Sequence, residues 1–330
     1  MASRRDPTTR ADAPAAAARS ARSRTVAARA QGSSGAEARV EVRKTDKLSI
    51  GGAFRRSESG RSYAVVAPDG ELLADARRAS RDDLRDAVRA ARSAFPGWSV
   101  RAPVLRGRIL HRVAELMERR RDRLVAEVGA AEGLTPAGAA VVVDRAIDRW
   151  ARYAGWADTI AQVPSSSNPV AAPFVDVTIP EPMGVVGVVA PETSSLLGLV
   201  SRVAPVLVTG NTAVVIASER RPLPAVTLAE VLATSDVPPG VLNLLTGFRN
   251  ELVPVVAAHG DVDALDLWGC PDDLRTPAEG AAAETMKRLA KRPLRQPEAT
   301  FDWLDDRAAE RPEWIAAFLW AKTVRHPIGV

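Results

Sequence analysis

Three short polar turns carry the residues best suited to chemistry: Pro191-Glu192-Thr193-Ser194, Ala217-Ser218-Glu219-Arg220 and Thr246-Gly247-Phe248-Arg249. Each turn sits at the end of an apolar run: Val185–Ala190, Thr212–Ala217 and Val241–Leu245. Runs that are apolar on both faces read as strands of a parallel sheet covered by helices on each side. The intervening residues supply the helices. Ser194–Leu207 has Leu196, Leu199, Val200 and Val203 at helical spacing, and Pro224–Thr234 ends before the turn Val237-Pro-Pro-Gly240. Glu181–Gly247 is thus the repeat of a doubly wound α/β fold. Its dinucleotide cleft lies at the carboxyl ends of the strands, which gathers the three turns around one site.

Cys270, in Gly269-Cys270-Pro271-Asp272-Asp273, is a second kind of candidate. A cysteine at a helix start beside the cleft has its thiolate favoured, but the two aspartates oppose that and no histidine is near in sequence. A small, semi-buried structural cysteine is the competing reading. Three scattered histidines and this single cysteine give no metal-ligand cluster.

The rest of the chain must position these turns. With 330 residues, 46% hydrophobic and 26% charged, it suits one large globular domain or two modest ones. No apolar run reaches membrane-spanning length, and one cysteine excludes an internal disulfide framework, so a cytoplasmic location is expected. Residues 1–45 hold ten basic and four acidic side chains, a net of +6 against +5 for the whole chain, which leaves −1 for the remainder. The positive charge therefore belongs to an Ala/Arg-rich tail that reads as disordered, and nucleic-acid binding is not expected.

Lys47–Phe54 begins the folded part as a strand and turn, and Tyr63–Val66 is a further strand. Ser80 with Asp83 forms a capping box for a helix ended by Pro96-Gly97. Leu105–Met117 is a second helix, and Glu118–Arg123 reads as a solvated helix face. Ala137–Ala161 is a longer helix with Trp150, Tyr153 and Trp156 inward. Phe174–Ile179 alternates as a strand. After Gly247, Asn250–His259 is helical and Asp261–Trp268 strand-like. Pro277–Ala290 could be a helix, Lys291–Pro297 is a basic linker, and Arg311–Lys322 offers a narrow apolar stripe, so residues 276–330 read as a helical tail.

From about Lys47 to Gly269 the chain resembles the aldehyde dehydrogenases. The motifs PMGVVGVVAP, APVLVTGNTAVVI, SERRP and PPGVLNLLTG occur in the order and spacing of that family's cofactor-binding domain. The resemblance implies NAD or NADP as cofactor, residues 46–275 as the cofactor-binding domain, and Phe174–Ile179 as part of an arm that pairs subunits. It also implies site roles, with departures. Pro191 is matched, but Glu192 and Thr193 stand where an aromatic and an oxyanion-donating asparagine are usual. Thr193 could still offer one hydroxyl donor. Ile216 replaces a ribose-holding lysine. Glu219 matches the family's ribose-contacting carboxylate, and Gly247 its glycine near the phosphates. Arg249 replaces a second glycine, where it either crowds the cleft or pairs with phosphate. Gly269 and Cys270 open the turn that places a serine and a helix N-terminus at the pyrophosphate. There Asp272 and Asp273 would repel a pyrophosphate, so cofactor binding is expected to be weakened.

The family's chemistry needs a thiolate nucleophile and a carboxylate base, both in a second domain that follows. No counterpart of either segment is found in this sequence. The expectation is a non-catalytic or regulatory subunit that pairs with a full-length aldehyde dehydrogenase or with itself. The alternative is an NAD(P)-dependent aldehyde oxidoreductase active alone or through a site shared with a partner, with Thr193 and Cys270 as the weak catalytic candidates.

Overall fold

The apolar runs pair as a mixed, mainly parallel sheet in the computed structural model, which describes residues 46–171, 173–290 and 297–328. The basic tail before residue 46 and most of the linker at 291–297 lie outside the described residues. The chain opens with two hairpins, β1 (Leu48–Ile50) with β2 (Ala53–Arg55), and β3 (Ser62–Val66) with β4 (Leu72–Arg77). Four helices follow: α1 (Arg81–Ser99), α2 (Pro103–Arg119), α3 (Arg121–Glu132) and α4 (Pro136–Gly155). A short β5 (Ser166–Ser167) precedes β6 (Phe174–Pro182). The alternating repeat then runs β7 (Val185–Val189), α5 (Leu197–Val208), β8 (Thr212–Ile216), α6 (Leu223–Ala233), β9 (Leu242–Leu245), α7 (Arg249–Ala258), β10 (Ala264–Asp266), α8 (Asp272–Glu284) and β11 (Arg288–Ala290). Two short helices, α9 (Asp306–Ala309) and α10 (Pro312–Ala316), and the strand β12 (Leu319–Pro327) complete it.

The seven-stranded sheet has the order β11-β10-β7-β8-β9-β1-β2. Strands β11 through β9 are parallel, and β1 joins β9 antiparallel. The fold is α/β, as the alternation of buried strands and helices predicts. From β7 the chain steps outward to β8 and β9, then returns to lay β10 on the other side of β7. The strand order therefore reverses between β7 and β10.

All five residues of β7 and of β8 are buried. Their side chains alternate between layers. Val186, Val188, Ala213 and Val215 join Trp98, Trp150 and Tyr153 under α4 and α5, while Val185, Val189, Val214 and Ile216 join Leu84, Val88 and Val256 under α1 and α7. The capping box at Ser80 forms as read: Ser80 Oγ accepts from Asp83 N, and the Asp83 carboxylate accepts from Ser80 N.

Several elements differ from the sequence reading. Helix α1 continues through Pro96-Gly97 because Trp98 buries its ring and donates from Nε1 to Leu207 O at 3.0 Å, anchoring the last turn. The charged run at 118–123 is the junction of α2 and α3. Three of its four arginines are partnered across helices, Arg120 and Arg123 with Glu230 and Arg121 with Asp144. Helix α8 starts at Asp272 instead of Pro277, and residues 288–290 form a strand that finds an open edge beside β10. The tail after residue 275 is only partly helical. Its apolar stripe divides between α10 and β12, because nine residues of β12 find the backbone partners of β6 in antiparallel register, from Leu319 opposite Pro182 to Pro327 opposite Phe174. Strand β6 is longer than read, and it lies between β12 and β5 in a separate three-stranded sheet.

Candidate functional site at the strand-order reversal

The three turns do converge, and side chains from them fill the space between the carboxyl ends of β7 and β10. These ends touch: a Cβ on Gly269 would lie 2.0 Å from Ala190 O, so glycine is required there for the strands to meet. Gly247 is required for its backbone, with φ at +153°, where it lets the chain turn from β9 into α7.

Arg249, from the first turn of α7, is 5% exposed and reaches back over both strand ends. Its Nη1 donates to Gly269 O at 2.9 Å and its Nη2 to Ala190 O at 2.6 Å. Nη2 also lies 2.8 Å from the Glu192 carboxylate. Glu192 in turn accepts from Ser218 Oγ (2.9 Å), Glu219 N (3.0 Å) and Arg220 N (2.8 Å). The Glu219 carboxylate accepts from Arg249 N at 2.9 Å. Glutamates 192 and 219 thus tie the turns after β7, β8 and β9 to one another.

Two further carboxylates bind the backbone just before α5. Glu298 accepts from Glu192 N, from Thr193 N at 2.7 Å and from Thr193 Oγ1 at 3.0 Å. Glu132 accepts from Ser195 N and Oγ at 2.7 and 2.6 Å. The Thr193 hydroxyl, the candidate oxyanion donor, is thus engaged by Glu298. Pro191 is buried just past β7, and Cys270, which follows Gly269, is also buried. Burial pushes the Cys270 thiol up to about 11 against the pull of Arg275 and Arg249, so it stays protonated at neutral pH.

Burial by itself would raise the Glu192 carboxyl. The Arg249 charge and the hydrogen bonds from Arg220 N, Ser218 and Glu219 N outweigh it and hold the group below its ordinary value of 4.5. The folded state therefore takes up this proton less readily than the unfolded chain. The resulting stabilisation is complete above about pH 4.5 and is lost as pH falls through the depressed value. Melting temperature followed through acid pH is expected to drop more steeply for the wild type than for Glu192→Gln. Parallel curves would contradict that role for Glu192.

Beside the turns lies an open cleft of about 370 Å³ whose lining includes Tyr63, Pro68, Glu219, Arg220 and Phe248. Tyr63 packs on Phe248 with ring centres 5.1 Å apart, and the Arg78 guanidinium lies 4.5 Å over Phe248. Among the described residues no cluster of His, Cys, Asp or Glu could hold a metal, and no helix is long and apolar enough to cross a membrane.

Sequence reasoning brought Pro191, Glu192, Glu219, Gly247, Gly269 and Cys270 to this region. It missed Ser218 as a Glu192 partner, and it missed Glu132 and Glu298. Opposite charges on two turns assigned to one site, Glu192 and Arg249, were the available signal for the ion pair. No spacing ties Glu298 to the repeat.

The profile of the Aldehyde dehydrogenase family matches residues 54–291. Human retinal dehydrogenase 2 is 33% identical over 257 residues, which cover 76% of this chain and 48% of that protein. The crystal structure of HpcC from Thermus thermophilus superposes with a TM-score of 0.71 at 33% identity, covering 75% of this chain and 48% of that one. An NAD+ complex of an aldehyde dehydrogenase from Bacillus cereus superposes equally well, TM-score 0.71 at 25% identity, over 75% of this chain and 50% of that one. The chain spans about half the length of the relatives it matches. The family profile, which spans most of the chain, and relatives of this identity leave one assignment: the chain belongs to the aldehyde dehydrogenase family.

Proposed function

We propose that this chain is a non-catalytic or regulatory subunit that pairs, in the cytoplasm, with a second subunit of the same fold, either a full-length aldehyde dehydrogenase or another copy of itself. The observation that carries the reading is the β6–β12 arm. Strand β12 is the edge of its sheet, and eight of its nine residues are exposed. Register places Val175, Val177 and Ile179 on the same face as Trp320 and Val324, and of these Val175, Ile179, Trp320 and Val324 are exposed. An exposed edge carrying apolar side chains is a template for strand addition.

Chemistry by the chain alone has little support. Its single cysteine is buried and protonated at neutral pH, and the carboxylates of the strand-end site are committed to internal hydrogen bonds. Light scattering on the purified chain, alone and mixed with full-length relatives from the same cell, is expected to show a dimer or a mixed oligomer. Trp320→Lys with Val324→Lys should return it to monomer. A wild type that stays monomeric and ignores every full-length relative would sink the proposal. Aldehyde turnover by the isolated chain, abolished by Cys270→Ala, would favour the oxidoreductase reading instead.

A further inference from the structure

Doubly wound sheets take a dinucleotide in the crevice where strand order reverses, outside the carboxyl ends of the two diverging strands. Here those strands are β7 and β10, and their ends are bridged from within. One guanidinium, from Arg249, donates to a carbonyl just past each strand, Ala190 O and Gly269 O, and pairs with Glu192. Glu192 is itself clamped by three donors of the turn after β8. The neighbouring N–H groups of Glu192 and Thr193, which would otherwise face an incoming anion, hold the Glu298 carboxylate.

We infer that the Arg249–Glu192 pair is an internal latch that keeps NAD and NADP out of the switch point, and that releasing it admits them. Three features support this. The Arg249 side chain is 6% exposed and directed at backbone carbonyls, so its charge is not offered to an outside phosphate. The positive end that a turn before a helix normally presents to a phosphate is already met by Glu298 and Glu132. Glu219, the carboxylate suited to ribose hydroxyls, holds Arg249 N at 2.9 Å. The cost of entry is therefore set by groups of this chain that must first be separated, and a dianionic pyrophosphate would arrive among like charges.

The latch deepens the non-catalytic reading but is independent of subunit pairing, since the β6–β12 arm holds none of its residues. A failed pairing experiment and a failed cofactor experiment are separate results. The test is a titration of the purified chain with NADH and NADPH by nucleotide fluorescence, and with NAD and NADP by calorimetry. The wild type is expected to show no saturable binding up to about 1 mM. Glu192→Gln is close in shape and frees the Arg249 charge for a phosphate, while Arg249→Gly empties the crevice. Each is expected to bind at least about 10-fold more tightly than the wild type. Saturable wild-type binding below about 1 mM would overturn the latch. So would failure of Glu192→Gln to bind while its circular dichroism at neutral pH shows a folded chain. Should Arg249→Gly not fold, the wild-type and Glu192→Gln titrations decide.

Discussion

Asp266→Ala is expected to destabilise the protein by about 3–5 kcal/mol, because it strands a buried guanidinium. Asp266 is fully buried at the end of β10, where it accepts from Arg202 Nε at 2.6 Å and from Trp268 N at 3.0 Å. Arg202, on α5, is 2% exposed, and its Nη1 has no hydrogen-bond acceptor. Its guanidinium lies 4.2 Å from the Trp314 ring centre and 5.0 Å from that of Trp268. The rings contribute cation–π attraction but no counter-charge, so the carboxylate cannot be replaced locally. Asp266→Asn retains an acceptor for Arg202 and is expected to cost less than the alanine change. Urea unfolding followed by circular dichroism should show a lower midpoint with little change in slope. A loss below about 1 kcal/mol for the alanine variant would mean the pair contributes little, as some buried ion pairs do.

Removing residues 298–328 is expected to have a larger effect still and to leave no stably folded chain. Phe301, Trp303 and Trp314 gather around Trp268 with ring centres 4.8, 5.5 and 5.4 Å away, and Phe318 is fully buried. Aromatic side chains bury roughly 150–250 Å² each, so at about 25 cal/mol/Å² four of them are worth on the order of 10 kcal/mol or more. That equals the whole stability of a typical domain, about 5–15 kcal/mol. Polar contacts would be lost as well. Asp306 accepts from Arg145 and from the fully buried Arg149, and Glu310 accepts from Arg152. Phe318 O accepts from Asn211 Nδ2 at 2.8 Å. Near-ultraviolet circular dichroism and soluble yield of the shortened chain measure this. A truncated protein that melts cooperatively at the wild-type temperature would show that the tail is only a lid.

The parallel core was legible because its signals are local. Strands such as Val185–Val189 and Thr212–Ile216 are buried on both faces and therefore apolar at every position, and the turns between them carry glycine and proline. Convergence of the turns at Glu192, Glu219 and Gly247 followed from topology. What those residues do there did not, because hydrogen-bond partners depend on rotamers and on chain that arrives from elsewhere. Glu298 comes from beyond the repeat, and the Arg202–Asp266 pair joins a helix to a strand 64 residues away. Strand β12 escaped for a related reason. Its residues are exposed except at Leu319, and apolar Trp320, Ala321 and Val324 are mixed irregularly with polar ones, so no alternation marks them, and only β6 makes them a strand.

The pairing of β6 with β12 also sets an order of events during synthesis. Thr178 and Thr323 face each other across that ladder but are 145 residues apart in the chain. At roughly 5–20 residues per second, β6 leaves the ribosome on the order of 10 s before its partner exists. Through that interval its long edge is open, while the parallel core between the two segments is already able to collapse. The nascent chain thus exposes the same strand that the finished protein presents beside its edge. Any strand able to pair with β6 can therefore reach it before β12 does.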